Sequence, residues 1–298
     1  MLYKTTITTL ALLFPVYFAA ISGDAQQPTQ SKQVETAQAT TVAIAEAISI
    51  LAWNIELGGS EVATIGQQLE QLMPFDILAL SEVPKTSSDE FTKRWGNESS
   101  LVGEKGGQAC LLISWNPAKF EKVHTEELTR FSDQEFAPGI QSAPLIARLR
   151  HTQSQTEFIV VMNHLARGSE ELRKRQAILL VEWAKQQTLP IIAVGGYNFD
   201  YDIPTKKGNP AFDVFLSDET WKWIEPKPMV DTNWADRNRD GKDDYPDSML
   251  DFSFAAGPAK QWSLESKIIV REGDFPDNEQ TSDQRPIRTT FTLPKLQK

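Results

Sequence analysis

Residues 190–199 read PIIAVGGYNF. A short run of β-branched and apolar residues closed by a small-residue corner is the pattern of a buried strand. The strand delivers a polar group, Asn198, at its end, and the position that most needs explaining, Gly196, has no side chain. Upstream, TEFIVVMNHLA (156–166) is a second buried strand that ends in His164. Between the two lies SEELRKRQAILLVEWAKQQ (169–187). Ser169 is placed to cap this helix, and Leu172, Ile178, Leu179 and Trp183 suggest its apolar face.

Another strand, helix and strand lie earlier in the chain. ISILAWNIEL (48–57) is a strand ending at the Gly58-Gly59 turn, EVATIGQQLEQL (61–72) has helical spacing at Val62, Ile65, Leu69 and Leu72, and FDILALSEV (75–83) is a strand that turns polar at Ser81 and Glu82. ACLLISWNP (109–117), PLIARLRH (144–151), SMLDFSFAAG (248–257) and SKIIVREG (266–273) supply further strands. Strands alternating with helices define an α/β domain, with no internal repeat and no linker after residue 45.

Hydrophobic residues make up 40% of the 298 and charged residues 23%, enough for a sizeable core. In residues 1–25, Lys4 precedes an apolar stretch from Leu10 to Ile21 and the small residues Gly23 and Ala25, which is the pattern of a signal peptide. Residues 26–45 are a polar, Gln- and Thr-rich linker, and residues 46–298 form the domain. A secreted or periplasmic protein is expected. No later stretch is apolar and long enough to span a bilayer. The single cysteine, Cys110, sits in an apolar strand and reads as a buried, inert thiol. With 30 Lys and Arg against 40 Asp and Glu, the formal net charge is −10. The only basic cluster is Arg167, Arg173, Lys174 and Arg175, so strong nucleic-acid binding is not expected.

Apolar strands end repeatedly in a polar residue: Asn54, Glu82, His164, Asn198 and Asp251, with SDQRP (282–286) near the C-terminus. Taken singly, Asn54 reads as a turn former, Glu82 as a solvated carboxylate and His164 as a satisfied core imidazole. Their convergence on one rim is how a site is built on a rigid scaffold. The stretches AWNI, DILALSEV, NHLARG, GGYNFD, SMLDF and SDQRP resemble, in order from about residue 48 to 291, the endonuclease/exonuclease/phosphatase superfamily, whose fold is that of deoxyribonuclease I.

The resemblance implies a four-layer α/β sandwich of two packed mixed sheets flanked by helices, and Mg²⁺- or Mn²⁺-dependent hydrolysis of a phosphate ester. Under it, Glu82 is the principal metal ligand, Asn54 the amide that supports it, and Asp283 a further carboxylate at the metal and catalytic centre. His164 contacts the scissile phosphate, Asn198 helps to hold phosphate and attacking water, and Asp251 orients a catalytic histidine. Phosphoryl transfer relies on electrostatic stabilisation, so a hard cation on few carboxylates suffices.

Two positions depart from the family pattern. Gly196 stands where members carry an Asp that positions or activates water, and Gln284 stands where they carry the His partnered by the Asp251-like carboxylate. Gln284 can donate an amide hydrogen bond to Asp251 but cannot take a proton. Losing a positioned acid or base typically costs about 10²- to 10⁴-fold in rate. Two readings follow: a weakened hydrolase, using metal-assisted water or another carboxylate such as Asp200 or Asp202, and a non-catalytic metal- or phosphate-binding pseudoenzyme. The substrate is a phosphate ester of unassigned class.

DRNRDGKDDYPD (236–247) places Asp236, Asn238, Asp240, Gly241 and Asp247 at the spacing of an EF-hand loop, which makes Ca²⁺ a second candidate cation and adhesion a third reading. Against it, the flanks do not read as helices and Asp243 replaces the usual mid-loop apolar residue, so a solvated acidic loop is the alternative. Trp221 and Trp223 could form a hydrophobic lip, but core packing is the preferred reading.

Overall fold

A computed structural model describes residues 46–57, 61–132, 143–276 and 280–294. The expected signal peptide and the whole of the expected linker lie outside the described residues. The elements in chain order are β1 (Ala47–Asn54), α1 (Val62–Gln71), β2 (Ile77–Pro84), α2 (Ser88–Thr92), β3 (Ser100–Val102), β4 (Ala109–Trp115), β5 (Phe120–Glu127) and β6 (Leu145–His151). There follow β7 (Glu157–His164), α3 (Glu170–Lys185), β8 (Ile191–Asp202), α4 (Pro210–Leu216), β9 (Trp221–Trp223), β10 (Ser248–Ala256), β11 (Ser263–Ile268) and β12 (Ile287–Thr292).

The strands form two six-stranded sheets, ordered β11-β12-β1-β2-β4-β3 and β5-β6-β7-β8-β10-β9. Each is mixed, with one central parallel pair, β1–β2 in the first and β7–β8 in the second. Parallel neighbours need a crossover, and α1 and α3 supply it. The described strands and helices thus have the expected α/β sandwich architecture. Ile48, Ile50, Ala52, Ile77 and Ala79 share a core with residues of the second sheet, while Leu51, Trp53, Leu78 and Leu80 pack with Ile65 and Leu69 of α1. Alternate side chains of β1 and β2 are therefore buried on both faces, which is why these strands read as unbroken apolar runs.

The helix over 170–185 is where expected, with Ser169 Oγ accepting from the Leu172 N–H at 3.3 Å, and Trp183 is buried and Leu179 packs on the core as expected, but the rest of the buried face is shifted. Ala177, Leu180, Val181 and Ala184 are buried and Ile178 is exposed. The displaced face is explained by two polar residues within it. Arg173 Nη1 donates to the carbonyls of Ala166 and Arg167 at 2.8 and 2.9 Å, and Gln176 Oε1 accepts from Ala166 N–H at 2.8 Å. Hydropathy alone cannot assign buried polar residues of this kind.

β11 covers 263–268 rather than 266–273, and β3, β5, β9 and β12 did not stand out in the sequence. β12 lies between β11 and β1, and so fixes the end of the SDQRP segment beside β1. Trp221 is buried and stacks on Phe215 with ring centroids 5.1 Å apart, and Trp223 packs on Tyr201 at 4.9 Å, in keeping with core packing. Cys110 is buried, and burial pushes its thiol up to about 11. Among the described residues, no helix is long and apolar enough to cross a membrane.

Candidate active site

The four central parallel strands carry Asn54, Glu82, His164 and Asn198 at or near their C-terminal ends. In β2 the ladder to β4 is irregular between Leu80 and Val83, and Glu82 takes φ of 56°. A positive φ in a non-glycine strand residue costs energy and marks a side chain redirected for a purpose. Glu82 Oε1 accepts a hydrogen bond from Asn54 Nδ2 at 2.9 Å, and Asn54 Oδ1 accepts from the Glu56 N–H at 3.0 Å. Both ends of the Asn54 amide thus serve to fix the carboxylate and the turn that follows β1.

That turn holds the 282–284 segment. Glu56 Oε2 accepts from the Asp283 N–H at 2.9 Å, and Ser282 Oγ donates to the Asn54 carbonyl at 2.6 Å. Trp53 Nε1 donates to the Gln284 carbonyl at 2.7 Å. Three consecutive residues distant in sequence are thereby fastened to the end of β1.

In the second sheet, His164 is in register with Gly196. Leu165 N–H donates to the Gly196 carbonyl at 2.8 Å, and Asn198 Nδ2 donates to the Leu165 carbonyl at 2.7 Å. Asn198 is buried with φ of 52°, so its amide locks the corner between β7 and β8. His164 Nε2 lies 3.5 Å from Glu82 Oε1 and joins the two sheets' contributions. Enclosure lowers the proton affinity of His164, the Glu82 charge opposes that shift, and the Arg167 guanidinium adds to it.

The two glycines are not equivalent. Gly195 has φ of 124°, and a Cβ there would fall 2.2 Å from the Asn163 carbonyl oxygen, so this position requires glycine. At Gly196 a Cβ would point between His164 and Asp251, 2.9 Å from His164 Cδ2 and 3.7 Å from Asp251 Oδ1. Its backbone is compatible with other residues, and a side chain placed there would enter the site.

Asp251 is buried in β10, in register with Gly196. Burial raises its carboxyl to about 7, against the pull of Thr232, with the Asp283 and Glu82 charges raising it and Arg167 lowering it. Its Oδ2 has no hydrogen-bond partner among the described residues. Among the described residues no hydrogen bond joins the Gln284 amide, which could donate one, to Asp251. Gln284 is buried, and its segment is held through its main chain by Trp53 and by a bridge to Asn233.

The expected site residues divide accordingly. Glu82 contacts both Asn54 and His164, and Gly196 lies against His164 and Asp251. Asp283 is tied in through Glu56 and acts on Asp251 through its charge. Glu56, two residues after Asn54, escaped the sequence reading although an acidic residue directly after AWNI was its signal. Arg167 stood out there only as part of a basic cluster.

The 236–247 loop directs its side-chain oxygens inward. Asp236 Oδ1 and Oδ2 accept from the N–H groups of Asp240 and Gly241 at 3.0 and 2.8 Å, and Asn238 Oδ1 accepts from Asp240 N–H at 2.9 Å. No helix flanks it, and Asp247 leads directly into β10. Among the described residues, no group of three or more His, Cys, Asp or Glu converges to hold a metal, here or at the active site. Glu82 by itself offers a hard oxygen donor oriented by an amide, with 30% of its side chain exposed. That donor chemistry fits a largely hydrated Mg²⁺ or Mn²⁺, which needs only one or two protein carboxylates.

No family model and no curated protein matches the chain. Solved structures do. An endonuclease/exonuclease/phosphatase from Bacteroides vulgatus aligns with TM-score 0.63 at 16% identity, covering 84% of this chain and 100% of its own. The mannosyl-6-phosphatase of Bacteroides thetaiotaomicron aligns with TM-score 0.58 at 15% identity, covering 83% and 100%. D. rerio TDP2, complexed with single-strand DNA product, aligns with TM-score 0.58 at 17% identity, covering 83% and 99%. Agreement in architecture over almost the whole of each neighbour assigns this chain the endonuclease/exonuclease/phosphatase superfamily fold.

Proposed function

We propose, on the premise of the endonuclease/exonuclease/phosphatase superfamily fold, that this protein is an exported, metal-assisted phosphoesterase weakened at the positions that handle the proton. The observation that carries the reading is the contact of Glu82 with both Asn54 and His164 across the ends of parallel strands from both sheets. When bound at Glu82, a divalent cation supplies positive charge that offsets the charge growing on the phosphoryl oxygens. Asn54 holds the carboxylate in place. His164, whose proton affinity enclosure lowers, has an Nε2 that can hydrogen-bond a phosphoryl oxygen. Asn198 orients the β7–β8 corner through the Leu165 carbonyl. Asp251 keeps its proton up to about pH 7, and Gly196 and Gln284 have no group to accept one.

Among the neighbours, one is a mannosyl-6-phosphatase and another is complexed with single-strand DNA product, so they do not by themselves choose a substrate. The net charge of −10 favours a small ester over a polyanion. The absence of a side chain at Gly196 favours a second reading, a phosphate-binding protein without turnover. Assay of the purified protein with Mg²⁺ and generic phosphomonoester and phosphodiester substrates separates the two. Slow turnover abolished by Glu82→Ala supports the hydrolase, and phosphate binding with no turnover supports the second reading.

A further inference from the structure

Beside the site lies a cleft of about 670 Å³ between the 167–168 turn after β7 and the 237–248 segment. We propose that it holds the alcohol portion of the ester, and that this portion is a hydroxylated ring, as in a sugar phosphate or a nucleoside monophosphate. The assignment rests on the hydrolytic reading above and adds the substrate class.

Four observations carry it. Arg167, three residues after His164, and Asp200, two after Asn198, line the cleft, and its Ser248 pairs with Asp202 in the same β8–β10 ladder that sets Asp251 against Gly196, so the cleft adjoins the site. Arg167 and Arg237 face the same space, and among the described residues neither guanidinium has an ion pair or hydrogen bond, an uncommon state for two arginines in an acidic protein. Tyr245, 42% exposed, offers an aromatic face with the Arg237 guanidinium 5.2 Å from its ring centroid, and sugar and base rings pack on such faces. Asp200, Asp202 and Asp244 are the remaining charged groups, all acceptors for ring hydroxyls.

Asp200 is held by Arg173 and Asn209 at 3.3 and 2.9 Å, and Asp244 by the Arg237 N–H at 2.7 Å, so these carboxylates are fixed before a ligand arrives. The three carboxylates disfavour a polymer, whose successive phosphates would each meet them. The polar lining disfavours a lipid tail. The size is that of a small-molecule site.

The test is calorimetric, on the purified protein with Mg²⁺, using glucose 6-phosphate, adenosine 5′-monophosphate, inorganic phosphate and a ten-residue oligothymidylate. At least one ring ester is expected to bind about tenfold or more tighter than inorganic phosphate, and the better of the two identifies the ring. Arg237→Ala and Tyr245→Ala should each reduce that advantage about threefold or more, the scale of one cation–π or stacking contact, with phosphate affinity unchanged. Phosphate binding with no ring advantage, an advantage indifferent to both variants, or tightest binding of the oligonucleotide would overturn the cleft assignment alone. Failure of every phosphate compound to bind would overturn the hydrolytic reading with it.

Discussion

His164 Nε2 and Glu82 Oε1 lie 3.5 Å apart although their strands belong to different sheets, so the active-site contact spans the sandwich. Under the proposed function the carboxylate would be the oxygen donor for a cation, and its charge opposes the lowered proton affinity of His164. Glu82→Gln keeps an acceptor for Asn54 and removes the charge. Mn²⁺ affinity, measured by calorimetry, is expected to fall about tenfold or more, since one of very few carboxylates is lost. Unchanged Mn²⁺ affinity would remove Glu82 from the cation's shell.

Gly195 and Gly196 should respond oppositely to a side chain. Gly195→Ala forces a Cβ into the Asn163 carbonyl at positive φ and is expected to cost about 3 kcal/mol or more. Gly196→Ala asks only the His164 ring to shift and is expected to cost about 1 kcal/mol. Urea denaturation of both variants checks the contrast.

Asp251 ties stability to pH. Its folded-state carboxyl, raised to about 7, lies above the ordinary 3.8, so the folded chain retains a proton that the unfolded chain releases. That contribution is fully present below about pH 4, declines as pH rises toward 7, and amounts to at most ~4 kcal/mol. Asp251→Asn should remove this decline, making the variant relatively more stable at pH 8 than at pH 4 when compared with the wild type. Parallel stability curves for the two proteins would show that Asp251 is not shifted.

Arg173 is a polar residue with a structural task. Arg173→Met keeps much of the stem and removes both donors to the carbonyls of Ala166 and Arg167. Leaving two acceptors without their partner is expected to cost ~2–4 kcal/mol. Because these carbonyls flank the turn that presents Arg167, phosphate affinity should fall as well. A stability loss without any change in phosphate binding would separate Arg173 from the site.

The central strands were legible because burial on both faces turns them into continuous apolar runs, and their polar ends stood out against that background. The face of α3 was legible only in part, at Trp183 and Leu179: Arg173 and Gln176 are buried by hydrogen bonds to a turn that periodicity does not record. β12 alternates Ile287, Thr289 and Phe291 toward the interior with Arg288 and Thr290 between them, a weaker signal in a six-residue strand. At the site, the residue types were readable and their pairings were not. Gln284 was readable as a possible donor to Asp251, whereas the main-chain contacts to Trp53 and Asn233 that hold its segment were not. The EF-hand spacing was present in sequence, whereas the loop's oxygens accept from its own backbone.

The most direct measurement is the Mg²⁺-dependent turnover of a generic phosphodiester and a generic phosphomonoester by the double variant Gly196→Asp, Gln284→His beside the wild type. The expected result is a gain of about 10²-fold or more for at least one substrate, the scale of a restored acid or base, with the gain lost on adding Glu82→Ala. A folded double variant that binds Mg²⁺ and turns over no faster than the wild type would contradict the claim that these two positions hold the site back.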